Sequence, residues 1–200
     1  MDTLAASPSD LPVETDRIRA IPRGKVGVWW FLASEIMIFG GLIGCFILIR
    51  LAHGGWRAEA DHVHWRIGAL NTLVLLTSSL TMALACDAVK EGNQRALKIF
   101  LALTMFLGLT FLGIKAFEYS REIADGWTPA TNLFFAFYFT LTGLHACHVL
   151  GGVVANTSLW VCAVRGRLWP LIQHRVELAG LYWHFVDVVW IFLFPLVYLS

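Results

Sequence analysis

Three histidines, His145, His148 and His184, fall in apolar surroundings. His145 and His148 are three residues apart, so they share one face of a helix. That spacing can seat a haem or a metal ion. It can also place two neutral imidazoles in hydrogen bonds across a helix interface. Gly151 and Gly152 follow and favour the interface, because small residues let helices approach closely. His184 and Asp187 are again three apart. A His–Asp pair can orient a metal ligand or relay a proton; it can equally lock helix packing. Glu35 is a lone carboxyl in an apolar stretch. It reads as a proton-active group or as a protonated acid bonded to a neighbouring helix. Lys115 and Glu118 have the spacing of a plain i, i+3 ion pair near the outer surface.

Other chemistry finds little support. A haem-copper or dihaem site needs several histidines at matched depth, and His53, His62, His64 and His174 fall in loops. Cys45, Cys86, Cys147 and Cys162 form no CxxC motif and read as small apolar residues. There is no phosphate loop, Ser–His–Asp arrangement or dinucleotide fingerprint. Three histidines could still bind one metal, although the His–x–x–His spacing is only weakly specific; nucleophilic catalysis has no support, and no catalytic residue is expected.

These groups must be positioned by membrane helices. Of the 200 residues, 58% are hydrophobic and only 14% charged, against roughly 45–50% and about 25% in soluble domains. The net charge is +1, so no basic field attracts nucleic acid. Disordered chains, nucleic-acid modules and highly charged soluble domains are excluded. After a polar tail over residues 1–25, which has no signal-peptide core, five apolar stretches follow. They run over about 28–49, 67–89, 99–118, 133–164 and 177–199, within a single domain over 26–200. A span needs roughly 20 apolar residues, so the fourth is tilted or extends past the lipid. Continuous rather than alternating runs favour helices over a barrel. The fold class is therefore all-α, a polytopic bundle of five transmembrane helices. Within it, a charge near the bilayer centre costs about 2.5–3.5 kcal/mol, which singles out Glu35 and Asp187.

Basic residues set the orientation. Arg17, Arg19, Arg23, Lys25, Lys90, Arg95, Lys98, Arg165, Arg167 and Arg175 fall on one side. Arg50, Arg57, Arg66, Lys115 and Arg121 fall on the other. The positive-inside rule then places the N-terminus in the cytoplasm and the C-terminus in the periplasm. Trp29, Trp30, Trp127 and Trp169 suit interfacial belts.

Five ordered segments resemble one family. Tyr182-Trp183-His184-Phe185-Val186-Asp187-Val188-Val189-Trp190 is similar to the C-terminal signature of subunit III of haem-copper terminal oxidases. Trp30-Phe31-Leu32-Ala33-Ser34-Glu35 resembles that family's Ser-Glu helix. Asn71-Thr72, continuing to Ser78-Ser79, resembles its Asn-Thr…Ser-Ser helix. Lys115-Ala116-Phe117-Glu118-Tyr119 resembles its Glu-Tyr segment. Gly143 to Gly152 resembles its Gly-x-His-x-x-His-Val-x-x-Gly helix. The resemblance covers about residues 26–199 and fits the shorter, five-span form.

The resemblance implies a non-catalytic subunit of a bacterial cytoplasmic-membrane oxidase, packed directly on subunit I in a complex with subunit II and other respiratory subunits, with no metal site of its own. Haem and copper would sit in partner subunits, and none would be bound by this chain. Phospholipid would be held between helices. Proton uptake and catalytic lifetime would be supported. The family's carbodiimide-reactive carboxyl maps onto Glu35. The family also turns His145, His148, His184, Asp187 and Glu118 toward a buried polar network. Arg165 and Arg167, at the inner end of the fourth span, are placed to hold an anionic headgroup. Glu after Ser34 resembles the cytochrome c oxidase branch; quinol oxidases and nitric-oxide-reductase-associated chains are alternatives. Outside the family stand a haem-binding electron carrier and a proton-coupled transporter. The transporter is weakened by the lack of repeats or broken helices.

Overall fold

The computed structural model describes residues 23–56, 63–166 and 169–199. The polar tail through residue 22, part of the first loop, Arg167, Leu168 and Ser200 lie outside the described residues. Five helices form: α1 Arg23–Ala52, α2 Trp65–Lys90, α3 Gln94–Ala124, α4 Leu133–Val164 and α5 Trp169–Tyr198. Each is long and apolar enough to cross a membrane. No strand occurs among the described residues.

Helices satisfy their own backbone groups, which hydrocarbon demands. The apolar residues are not confined to one stripe. Trp30 is 75% exposed and Met37 77%, as suits helices whose outer faces meet lipid or another protein. Most helices exceed their apolar stretches. The third stretch covers about 99–118, whereas α3 runs from Gln94 to Ala124. A 31-residue helix is on the order of 45 Å long at 1.5 Å per residue. It therefore carries polar turns beyond a hydrocarbon core of about 30 Å. The fourth stretch and α4 coincide.

Local chemistry sets the turns. Gly92, at φ +75°, reverses the chain between α2 and α3 in a conformation that glycine adopts without a Cβ penalty. Asn93 and Asn132 then cap α3 and α4, their side-chain oxygens accepting from Ala96 N at 3.1 Å and Phe135 N at 2.9 Å.

Packing closes α2, α3, α4 and α5 into a ring, each in contact with the next and α5 with α2. Trp183 of α5 fills the centre. A Cβ at Gly152 of α4 would lie 2.6 Å from its ring, and one at Gly108 of α3 would lie 2.8 Å from it. Helix α1 stands outside the ring, against α5 and α4. At one end Lys25 pairs with Glu177 at 3.7 Å. At the other, Phe46 meets Phe137 and Trp56 edge-on at 5.7 and 4.7 Å.

Candidate functional site

Two buried ionisable clusters stand out. The first joins α1 to α4. Glu35 is buried, and its Oε2 lies 2.9 Å from His148 Nε2. His148 Nδ1 lies 2.8 Å from the Leu144 carbonyl. A carbonyl only accepts, so Nδ1 is the donor there. One proton is then shared in the Glu35–His148 contact. Either a protonated acid donates to neutral imidazole, or imidazolium donates to carboxylate; both arrangements are neutral overall. Tyr182 OH donates to the His148 carbonyl at 2.9 Å, and Phe39 packs edge-on against the imidazole at 5.3 Å.

The second cluster joins α3, α4 and α5. Lys115 Nζ donates to Glu118 Oε2 at 3.1 Å, to Tyr138 OH at 3.1 Å and to Tyr198 OH. A lysine has three donors, and all three are used. Glu118 Oε1 accepts from Tyr138 OH at 2.8 Å and from Tyr198 OH at 2.7 Å. The ammonium also lies 4.7–5.7 Å from the ring centroids of Tyr119, Tyr138, Trp190 and Tyr198, within cation–π range. Lys115 and Glu118 are 2% and 1% exposed. The expected i, i+3 ion pair forms, and it is buried inside the bundle because tyrosines from two other helices cover it.

A ladder of hydroxyls lines the α2–α5 seam. Ser79 Oγ lies 2.8 Å from His184 Nδ1. Trp183 Nε1 donates to Ser78 Oγ at 3.1 Å, and Trp190 Nε1 to Thr72 Oγ1 at 3.0 Å. Among the described residues neither carboxyl oxygen of Asp187 has a hydrogen-bond partner. Both ring nitrogens of His145 are buried with no hydrogen-bond partner among the described residues. Its ring sits between Phe111 at 5.4 Å and Trp190 at 4.9 Å.

The five residues grouped from sequence as one polar network therefore occupy separate settings. His148 meets Glu35, His184 meets Ser79, and Glu118 meets Lys115. No hydrogen bond joins any two of the five. Arg165 is exposed just past the end of α4; Arg167 lies outside the described residues. The four cysteines are free thiols. Among the described residues no three His, Cys, Asp or Glu side chains converge as a metal set would require. Sequence reasoning passed over Tyr138 and Tyr198, and it read Ser79 only as part of a motif, not as a partner of His184. The signal for the tyrosines was a phenol within a span, which must find a partner when buried.

Five spanning helices, with their costly polar groups largely paired inside, define a multi-pass helical membrane protein. The sequence profile of cytochrome c oxidase subunit III matches residues 16–200, and the chain belongs to that family. It is 35% identical over 191 residues to cytochrome c oxidase subunit 3 of Alkalihalophilus pseudofirmus, covering 94% of this chain and 93% of the relative. It is 33% identical over 175 residues to cytochrome c oxidase subunit 3 of Thermostichus vulcanus, covering 87% and 86%. It is 31% identical over 178 residues to a probable quinol oxidase subunit 3 of Staphylococcus aureus, covering 88% of each.

Proposed function

We propose that this chain is the non-catalytic subunit III of a respiratory cytochrome c oxidase in a bacterial cytoplasmic membrane. It packs on subunit I, within a complex that includes subunit II. Haem and copper belong to those partners. The chain supports proton uptake and catalytic lifetime, and it binds phospholipid, with Arg165 and Arg167 at the headgroup. The family match along nearly the whole chain carries the reading. The Glu35–His148 pair supports the proton role: it holds one exchangeable proton at constant net charge, 2.9 Å from donor to acceptor, in a helix seam that ends outside the ring.

Purification through a tag on this chain tests the reading. The expected result is a complex with subunits I and II that contains haem and copper and oxidises cytochrome c. A Soret band from the isolated chain would overturn it in favour of a haem-binding carrier. The second reading, a quinol oxidase subunit, is favoured by the Staphylococcus aureus relative; turnover with quinol and none with cytochrome c would select it.

A further inference from the structure

At the end of the bundle where α2 begins and α3 ends, a cavity of about 510 Å³ opens between the two helices. Its walls include His64, Trp65, Arg66 and Arg121. Arg66 and Arg121 come from different helices and both line this one space. Neither is ion-paired among the described residues. Each instead rests over an aromatic ring: Arg66 over Trp65 at 5.6 Å and Arg121 over Phe117 at 6.0 Å. The first turn of α2 holds no acidic residue, so nothing within that turn neutralises Arg66; on α3, Arg121 feels the neighbouring Glu122 carboxyl without forming an ion pair to it.

The surface beside the cavity is apolar and exposed. Leu70 and Leu73 follow Arg66 on the same face of α2, and Phe117 lies one turn before Arg121; they are 54%, 63% and 58% exposed. A cationic notch above a bare hydrocarbon track fits a ligand with an anionic head and an apolar tail. Arginine binds phosphate through its planar fork of donors, and the side chain's stem and ring partner tolerate the hydrocarbon boundary.

We propose that this notch is a phospholipid site, in which Arg66 and Arg121 hold the phosphate and the acyl chains lie along α2 and α3. It lies at the opposite end of the bundle from Arg165. It extends the lipid part of the proposed function without depending on the oxidase assignment.

The test uses the purified complex, delipidated in detergent and titrated with dioleoylphosphatidylglycerol under native mass spectrometry. Arg66→Gln with Arg121→Gln is expected to remove one bound lipid and to weaken its binding about thirtyfold, roughly fivefold per guanidinium. Arg66→Lys with Arg121→Lys is expected to retain the lipid, which separates charge loss from misfolding. Arg165→Ala probes the opposite end and is expected to leave this lipid in place; its effect on any lipid there bears only on the earlier reading. Equal lipid retention in wild type and the Gln variant overturns the proposal. So does millimolar inorganic phosphate that occupies the notch as well as the lipid does. Loss of a neighbouring subunit with lipid retention unchanged overturns it in favour of a protein contact.

Discussion

Glu35 on α1 and His148 on α4 meet at 2.9 Å, and the Leu144 carbonyl forces the proton they share into that contact. Within the membrane-spanning part of the α1 seam, the neighbouring contacts are mostly aromatic, such as Phe39 on His148 and Phe31 on Tyr182. The pair thus serves two ends at once. It ties a peripheral helix to the ring and keeps an exchangeable proton at low dielectric.

Replacement of Glu35 by Gln keeps a hydrogen-bonding group opposite His148 but removes the titrating carboxyl. The expected outcome is an assembled complex with reduced proton pumping and a shorter catalytic lifetime, measured by oxygen consumption with pH recording over repeated turnovers. Wild-type values in all three would sink the proton role. His148→Asn is expected to act in the same direction. The double variant should add little to either single change, because both remove one interaction.

The buried ion pair gives a separate test. Lys115→Met leaves a carboxylate among tyrosines with no cation, and breaking such a pair costs about 3–5 kcal/mol. Lys115→Met combined with Glu118→Leu removes both charges and is expected to be clearly more stable than Lys115→Met alone. Thermal retention of this chain in the detergent-solubilised complex reads both. Equal losses in the single and double variants would contradict the assigned role of the pair.

Two adjacent glycines should behave differently. Gly152→Ala drives a methyl group to 2.6 Å from Trp183, and overpacking of this kind costs about 1–3 kcal/mol. At Gly151 the nearest atom, Tyr182 OH, is 3.6 Å away, so Gly151→Ala is expected to be near neutral. The same thermal assay compares them.

The orientation expected from the basic residues is testable directly. Alkaline phosphatase fused after Ser200 is expected to be active, since that enzyme matures only in the periplasm. A fusion before Met1 is expected to be inactive. The reverse pattern would invert the assignment.

The helices were legible because hydrocarbon imposes a long, unbroken apolar run on anything that crosses it. Except for α4, whose bounds coincide with its apolar stretch, their ends were not, because a helix continues into the polar interface without a change in its own hydrogen bonding. Polar spacing was informative within one helix only. Lys115 and Glu118 could be paired from sequence, but Tyr138 and Tyr198 arrive from other helices, and periodicity does not say which neighbour a face meets. Glu35 stood out by its cost of burial, yet its partner could have been any polar group on α2 to α5. His145 and His148 share a face by spacing, and the structure still gives them unlike surroundings, one wedged among rings and the other bonded to a carboxyl.

The second cluster also bears on how the chain enters the bilayer. Helix α3 brings Lys115 and Glu118 together, one turn apart, so it inserts carrying its own counter-charge rather than two isolated ions. Its remaining donors and acceptors wait for Tyr138 and then for Tyr198, which leave the ribosome in that order. The helix can therefore be threaded early at modest cost, while the contact that clamps three helices closes only after α5 has been translated.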